Sequence, residues 1–282
     1  MQKMNNDKWF NYCFSNSVLN TITNSNNYKI LNKNNHSVNL KSNNSLFENY
    51  QLIYQYMSKN HRNEYFYKNE LFCEYILPNL QNKTIGALKE WPLSKCICDF
   101  ITLDQANQSI VWEIKSDIDS LKRLNNQISN YYHVFDQVAV LTNSQYANKV
   151  IQLVPKETGI FELNDENKID CIRIPKSKYD LLKPYDIYNM WHKNERLTLT
   201  KLEIQHYNSL HDSHLNQTYV TRACEKQDII TTLRLTNQFL IDRINAKNEL
   251  LSNKLKKVPR VLKSWLYFSN NKDRVLNNWL NK

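Results

Sequence analysis

Between residues 60 and 175 the apolar positions change rhythm several times, and each change marks an element. Leu71, Phe72, Tyr75 and Ile76 share one side of a helical projection and predict a helix over 63–77 that Pro78 ends. Two short apolar runs, Cys96–Leu103 and Ser109–Lys115, read as strands joined through the polar Asp104–Gln108, which predicts a hairpin. From Asp117 to Phe135 the stripe Leu121, Leu124, Ile128, Tyr131 and Phe135 predicts a helix. Gln137–Thr142 follows as a strand of buried type, then a helix around Gln145–Leu153. Gly159–Leu163 and Ile169–Ile174 are expected to add edge strands, bounded by Pro175. Strands alternating with helices in this order predict an α/β core.

The flanks read differently. Residues 1–59 are rich in asparagine and are expected to be partly helical and loosely ordered, with folding tightening after Ser45. Residues 176–282 look mainly helical, with Thr221–Lys257 the longest candidate and Pro259 a break, and Trp265 and Trp279 are expected to pack. Three regions follow: 1–59, a core at 60–175, and 176–282. No apolar run approaches the roughly 20 residues of a membrane-spanning helix. The opening residues, Met1–Lys8, lack the apolar segment of a secretory signal, so a soluble, cytoplasmic protein without a membrane partner is expected.

Register turns the hairpin into chemistry. If Leu103 pairs with Ser109 across the loop, Asp99 lies opposite Glu113, with Cβ atoms ~5 Å apart. Like charges so placed repel unless a cation takes an oxygen from each. Lys115, two residues beyond Glu113, projects from the same strand face. On the preceding helix, residues placed at about 100° intervals put Glu64 and Lys68 in the sector of Leu71 and Tyr75, with Glu70 and Glu74 at its edge or outside. An inward carboxylate at 64 needs a partner, which is either Lys68 at i+4 or a metal ion nearby. Gln127 and Tyr131, spaced i and i+4, reach the hairpin face if their helix packs on it. Asp117 and Asp119 have a simpler explanation: acidic residues at a helix start complement its dipole and cap free amides, so they are not assigned to a metal.

Composition narrows the chemistry. Gly86 and Gly159 are the only glycines, so no phosphate-cradling glycine loop can form. There is no G-x-S-x-G elbow and no H-E-x-x-H helix. The six cysteines lack the paired spacings of a disulfide framework or zinc site, and Cys96 and Cys98 read as small buried hydrophobes on a strand. His206, His211 and His214 sit in a polar stretch without a convincing metal spacing and read as solvated. Any chemistry must then use carboxylates and lysine. The net charge of +10 is uneven: residues 60–175 hold 15 acidic against 12 basic side chains, and residues 195–282 hold 15 basic against 8 acidic. An acidic centre suits divalent cations and a basic flank suits a polyanion, although a solvated charged surface gives the same count.

With Asp99, then Glu113-Ile114-Lys115, then Gln127-x-x-x-Tyr131, the chain resembles the PD-(D/E)XK nuclease superfamily over roughly residues 60–145. The likeness is greatest to a poorly characterised bacterial family with an EIKSD-x-DSL-x-RL-x-x-Q-x-x-x-Y signature, matched here from Glu113 to Tyr131 without departure. The proline that names the superfamily is replaced by Cys98. The resemblance implies a restriction-endonuclease-like mixed sheet flanked by helices, with a mainly helical basic C-terminal region appended. It implies that Asp99 and Glu113 bind Mg²⁺ or Mn²⁺, joined by Glu64 as an extra helix carboxylate, with Glu70 the fallback. Lys115 would orient or deprotonate the water, and Gln127 and Tyr131 would support the site. The implied activity is phosphodiester hydrolysis in nucleic acid, DNA before RNA, in genome maintenance or defence against mobile elements. Residues 176–282 are left to hold substrate, a protein partner or a second copy. Two alternatives stay open: a non-catalytic module of the same fold that binds nucleic acid or protein, and a purely structural Glu113–Lys115 ion pair.

Overall fold

The structure is a computed structural model that describes residues 2–25, 31, 38–40, 44–80, 84–93, 95–192, 194–196, 228–248, 255 and 258–269. Six strands form one sheet in chain order: β1 (Thr84–Pro92), β2 (Ile97–Asp104), β3 (Ser109–Ile114), β4 (Val138–Thr142), β5 (Gly159–Leu163) and β6 (Ile169–Arg173). The β1–β2, β2–β3 and β5–β6 pairs are antiparallel, and the β3–β4 and β4–β5 pairs are parallel. The protein is therefore mixed α/β, a mixed sheet flanked by helices. Each parallel pair needs a crossover, which α6 (Leu124–Tyr132, numbered here after the five helices described next) and α7 (Ser144–Leu153) provide.

Before the sheet come α1 (Gln2–Cys13), α2 (Asn16–Ser25), α3 (Leu46–Asn60), α4 (Glu64–Glu70), a π turn (Leu71–Ile76) and α5 (Leu77–Leu80). After it come α8 (Pro184–Met190), α9 (Ile229–Asn248) and α10 (Lys263–Phe268). Local signals start the helices that frame the site. Ser45 and Glu48 form a reciprocal capping box on α3, Asn63 accepts the Phe66 amide at the head of α4, and Asn143 accepts the Tyr146 amide at the head of α7.

Strand alternation divides the core into two layers. On one side Phe100, Trp112, Ile114, Leu141 and Phe161 pack with Phe66, Phe72 and Trp265; on the other Ile101, Val111, Val138, Val140 and Ile160 pack with Ile128, Tyr131, Trp191 and Leu240. The hairpin register is as expected, with Leu103 opposite Ser109 and Phe100 opposite Trp112. Asp104 closes the loop by accepting the Ala106 and Gln108 amides, and Asn107 takes the left-handed conformation (φ 59°) suited to asparagine.

Several expectations are corrected. β1 has no counterpart in the sequence reading, because Gly86 and the Lys89-Glu90 pair break its apolar rhythm. β5 lies inside the sheet, between β4 and β6, so only β6 is an edge on that side. The helix expected to stop at Pro78 continues to Leu80: the π turn carries the Leu77 amide back to Phe72, and the proline falls in the turn that follows. The helix expected from Asp117 begins as a 3-10 turn at Leu121 and becomes α-helical at Leu124. The N-terminal region is not loosely ordered where it is described, since Trp9, Phe10, Phe14, Leu19 and Ile22 are buried against Tyr50, Tyr54 and Met57. Its aromatics recur often enough among the asparagines to reach the core. The C-terminal region likewise lays α9 over β1 and β2, where Thr236 accepts the Trp191 indole N–H and Asn237 donates to the Asn107 carbonyl. His206, His211, His214, Cys224 and Trp279 lie outside the described residues.

Gly159 shows how closely the sheet end is packed. A Cβ there would sit 2.7 Å from Pro175 Cδ and 2.9 Å from its nitrogen. Gly159→Ala is expected to lower unfolding stability by about 1–3 kcal/mol, measured by urea denaturation; an unchanged midpoint would show that Pro175 moves freely.

Candidate functional site

The β2–β3 ladder ends at Phe100 opposite Trp112, one pair short of Asp99 and Glu113. The next inward amide of β3, that of Ile114, goes instead to the Asp99 side chain, donating to Oδ2 at 2.8 Å. β3 stays anchored on its other edge, where the Lys115 amide donates to the Leu141 carbonyl in β4. The two strands thus part at the expected position, and a carboxylate fills the missing rung.

Two connected groups meet there. In the first, Glu113 is 2% exposed and each of its oxygens takes a donor: Lys115 Nζ on Oε1 at 2.6 Å and the Tyr131 hydroxyl on Oε2. Lys115 is also buried and donates to Gln127 Oε1 at 2.9 Å. The α6 pair Gln127 and Tyr131 therefore reaches the hairpin face, one residue on the lysine and the other on the carboxylate. In the second group Lys68 Nζ lies 3.0 Å from Asp99 Oδ1, 2.5 Å from Glu64 and 3.2 Å from Glu90. Glu64 and Lys68 do form the i,i+4 pair, and the lysine extends it into the sheet. Glu90 adopts φ 51° within β1, a left-handed conformation that costs a non-glycine residue about 1–2 kcal/mol, where its carboxylate turns to Lys68.

The electrostatics identify what is costly. Burial raises the Glu113 carboxyl above its ordinary range, the adjacent Asp99 charge raises it further, and Lys115 and Tyr131 oppose this. Burial likewise raises Asp99, with Glu64 adding and Lys68 and the Ile114 amide opposing. Burial also works against the charge on Lys68, but Asp99, Glu64 and Glu90 together outweigh it and hold the ammonium protonated. Two neighbouring buried carboxyls, both shifted upward, are what a bound cation would relieve.

The donor set fits Mg²⁺ or Mn²⁺ in a restricted form. Each oxygen of Asp99 and Glu113 has one protein donor and keeps a lone pair for a further partner. Mg²⁺ prefers few carboxylates and retains waters. Among the described residues no three of His, Cys, Asp and Glu converge as a metal-holding group, so Glu64 is not gathered with Asp99 and Glu113 but sits on Lys68. The fallback Glu70 is committed elsewhere: buried, it accepts the Tyr54 hydroxyl at 2.5 Å and Arg260 Nη2 at 2.5 Å.

Asp117 and Asp119 are correctly left off the metal but do not cap a helix. Asp119 accepts the Ser116 amide and hydroxyl, closing the turn after Lys115. Asp117 accepts from Arg62 Nε at 2.8 Å and Nη2 at 3.2 Å, the Tyr67 hydroxyl at 2.6 Å and Asn143 Nδ2 at 3.0 Å. Arg62 also donates to the Asn164 carbonyl, so this group ties α4, the end of β3 and the end of β4 together just beyond Lys115. Arg62, Tyr67, Asn143 and Glu90 are absent from the sequence reading because their partners lie far away in the chain. Beside Lys68 opens a cleft of about 320 Å³ lined by Asn11, Glu64, Lys68, Lys89, Glu90 and Trp265.

Asp117→Ala would leave the largely buried Arg62 guanidinium without its carboxylate, and is expected to cost on the order of 3 kcal/mol, read as a lowered denaturation midpoint. A shift below ~0.5 kcal/mol would place the pair among ordinary exposed ion pairs.

Comparison with known proteins adds a family. Protein cII of Enterobacteria phage P4 is 35% identical over 63 residues, which is 22% of this chain and 24% of that protein, so the chain spans about a quarter of the curated relative it matches. The SPO1766 protein of unknown function from Silicibacter pomeroyi shares 15% identity over 45% of this chain and 84% of its own, with a TM-score of 0.30. The family model described as Bacteriophage P4 protein cII matches residues 57–259, well over half of the chain and the whole of the sheet, and the chain belongs to that family.

Proposed function

We propose that the protein is a divalent-metal-dependent nuclease of the PD-(D/E)XK type, hydrolysing phosphodiester bonds in nucleic acid, with DNA the favoured polymer and genome maintenance or defence against mobile elements the setting. The observation that carries this reading is the convergence of buried Asp99, Glu113 and Lys115 where the β2–β3 ladder parts, with Gln127 and Tyr131 fastened to the same side chains.

Mg²⁺ or Mn²⁺ held by Asp99 and Glu113 would activate a water and offset charge building on the phosphate. Lys115 spends two donor positions on Glu113 and Gln127 and keeps a third to direct at the attacking water. Gln127 fixes the ammonium, while Tyr131 fixes the Glu113 carboxylate so that its remaining lone pairs point one way. Asp99, braced by the Ile114 amide, holds the opposing carboxylate at the rim.

The Lys115–Glu113 contact also favours a second reading, an inert module of the same fold in which this pair is only structural. Cleavage separates the two. Purified protein is expected to cut DNA when Mg²⁺ or Mn²⁺ is supplied, and Asp99→Ala and Lys115→Ala are each expected to reduce the rate at least a hundredfold while keeping the far-UV circular dichroism spectrum. Cutting that persists in both variants would sink the assignment, and nucleic-acid binding with no cleavage on any substrate would favour the inert module.

A further inference from the structure

Lys68 is more than the partner of Glu64. Its ammonium meets three carboxylates from three separate elements, Glu64 on α4, Glu90 on β1 and Asp99 on β2, at 2.5, 3.2 and 3.0 Å. An ammonium has three donors, so all three are used. The side chain is 11% exposed, and desolvating a lysine this far is unfavourable unless acidic groups surround it. The chain accepts a further cost to complete the set, since Glu90 sits in the left-handed region. Asp99 is the shared residue: one oxygen goes to Lys68, while its charge also bears on Glu113.

We propose that the Lys68 ammonium stands in for a second divalent cation, so that the site takes one metal ion, at Asp99 and Glu113, and carries its other cation built in. This rests on the metal-dependent reading above and goes further by fixing its stoichiometry and giving Lys68 a task. A single charge held by three carboxylates leaves the position electronegative, so a divalent ion would enter if the lysine left. The cleft lined by Lys68, Glu64 and Glu90 gives it a route from solvent. The same cleft presents the ammonium to a phosphate lying beside the metal, where it would neutralise charge without exchanging with solvent ions.

The test is a count of Mn²⁺ bound by the full chain without nucleic acid, by titration with electron paramagnetic resonance detection of free Mn²⁺. The wild type is expected to bind one equivalent, Lys68→Met two, and Lys68→Arg, which keeps a fixed cation, one. Lys68→Gln serves as a second neutral variant should Lys68→Met fail to fold, and is also expected to bind two. Two equivalents in the wild type, or one in folded neutral variants at unchanged affinity, would overturn the role of Lys68 while leaving the nuclease reading intact. Binding of no Mn²⁺ by any of these proteins would overturn the metal site itself, and this inference with it.

Discussion

Asp99 and Glu113 are two buried carboxylates side by side at the point where β2 and β3 separate, and much of the surrounding structure is arranged to keep them there. Burial and mutual repulsion both act against their charges. The fold answers with a lysine on each, Lys68 on Asp99 and Lys115 on Glu113, with the Ile114 amide on one side and the Tyr131 hydroxyl on the other. Removing any one of these partners would leave a buried charge less compensated, which is why the group behaves as a unit.

That unit depends on elements far apart in the chain. α6 brings Gln127 and Tyr131 because it is the crossover between parallel strands β3 and β4 and must lie across the sheet. α4 brings Glu64 and Lys68, and its position is fixed at both ends: Arg62 and Tyr67 bind Asp117 just past Lys115, while Glu70 and Glu74 bind Arg260 near α10. Asn69 adds a second tie, accepting the Ser264 amide and donating to the Arg260 carbonyl. Segments outside the central core therefore help hold the helix that faces Asp99. The match to the phage P4 cII family runs from residue 57 to residue 259 and takes in α4, the sheet and α9.

The hairpin and its register were legible because a five-residue polar loop and two short strands leave little freedom, and once Leu103 faces Ser109 the rest follows by counting. The α6 stripe placed Gln127 and Tyr131 for the same reason. What stayed hidden depends on long-range partners. β1 lacks a clean alternation because its charged residues face Lys68 and the cleft. Asp117 looks like a capping residue until Arg62, 55 positions earlier, is seen to bind it. Glu70 looks like a spare ligand on the edge of a helix until Tyr54 and Arg260 bury it. The N-terminal region reads as polar because asparagine dominates its count, yet a few aromatic residues at helical spacing suffice to anchor it.

The central claim is that the parted strands form a seat for a divalent cation between Asp99 and Glu113. A crystal of the full chain soaked in Mn²⁺, with anomalous diffraction recorded at the manganese edge, tests it most directly. The account predicts one strong anomalous peak within coordination distance of a carboxylate oxygen from each residue, with Lys115 still on Glu113. Fully occupied manganese bound only elsewhere, with Asp99 and Glu113 untouched, would contradict it.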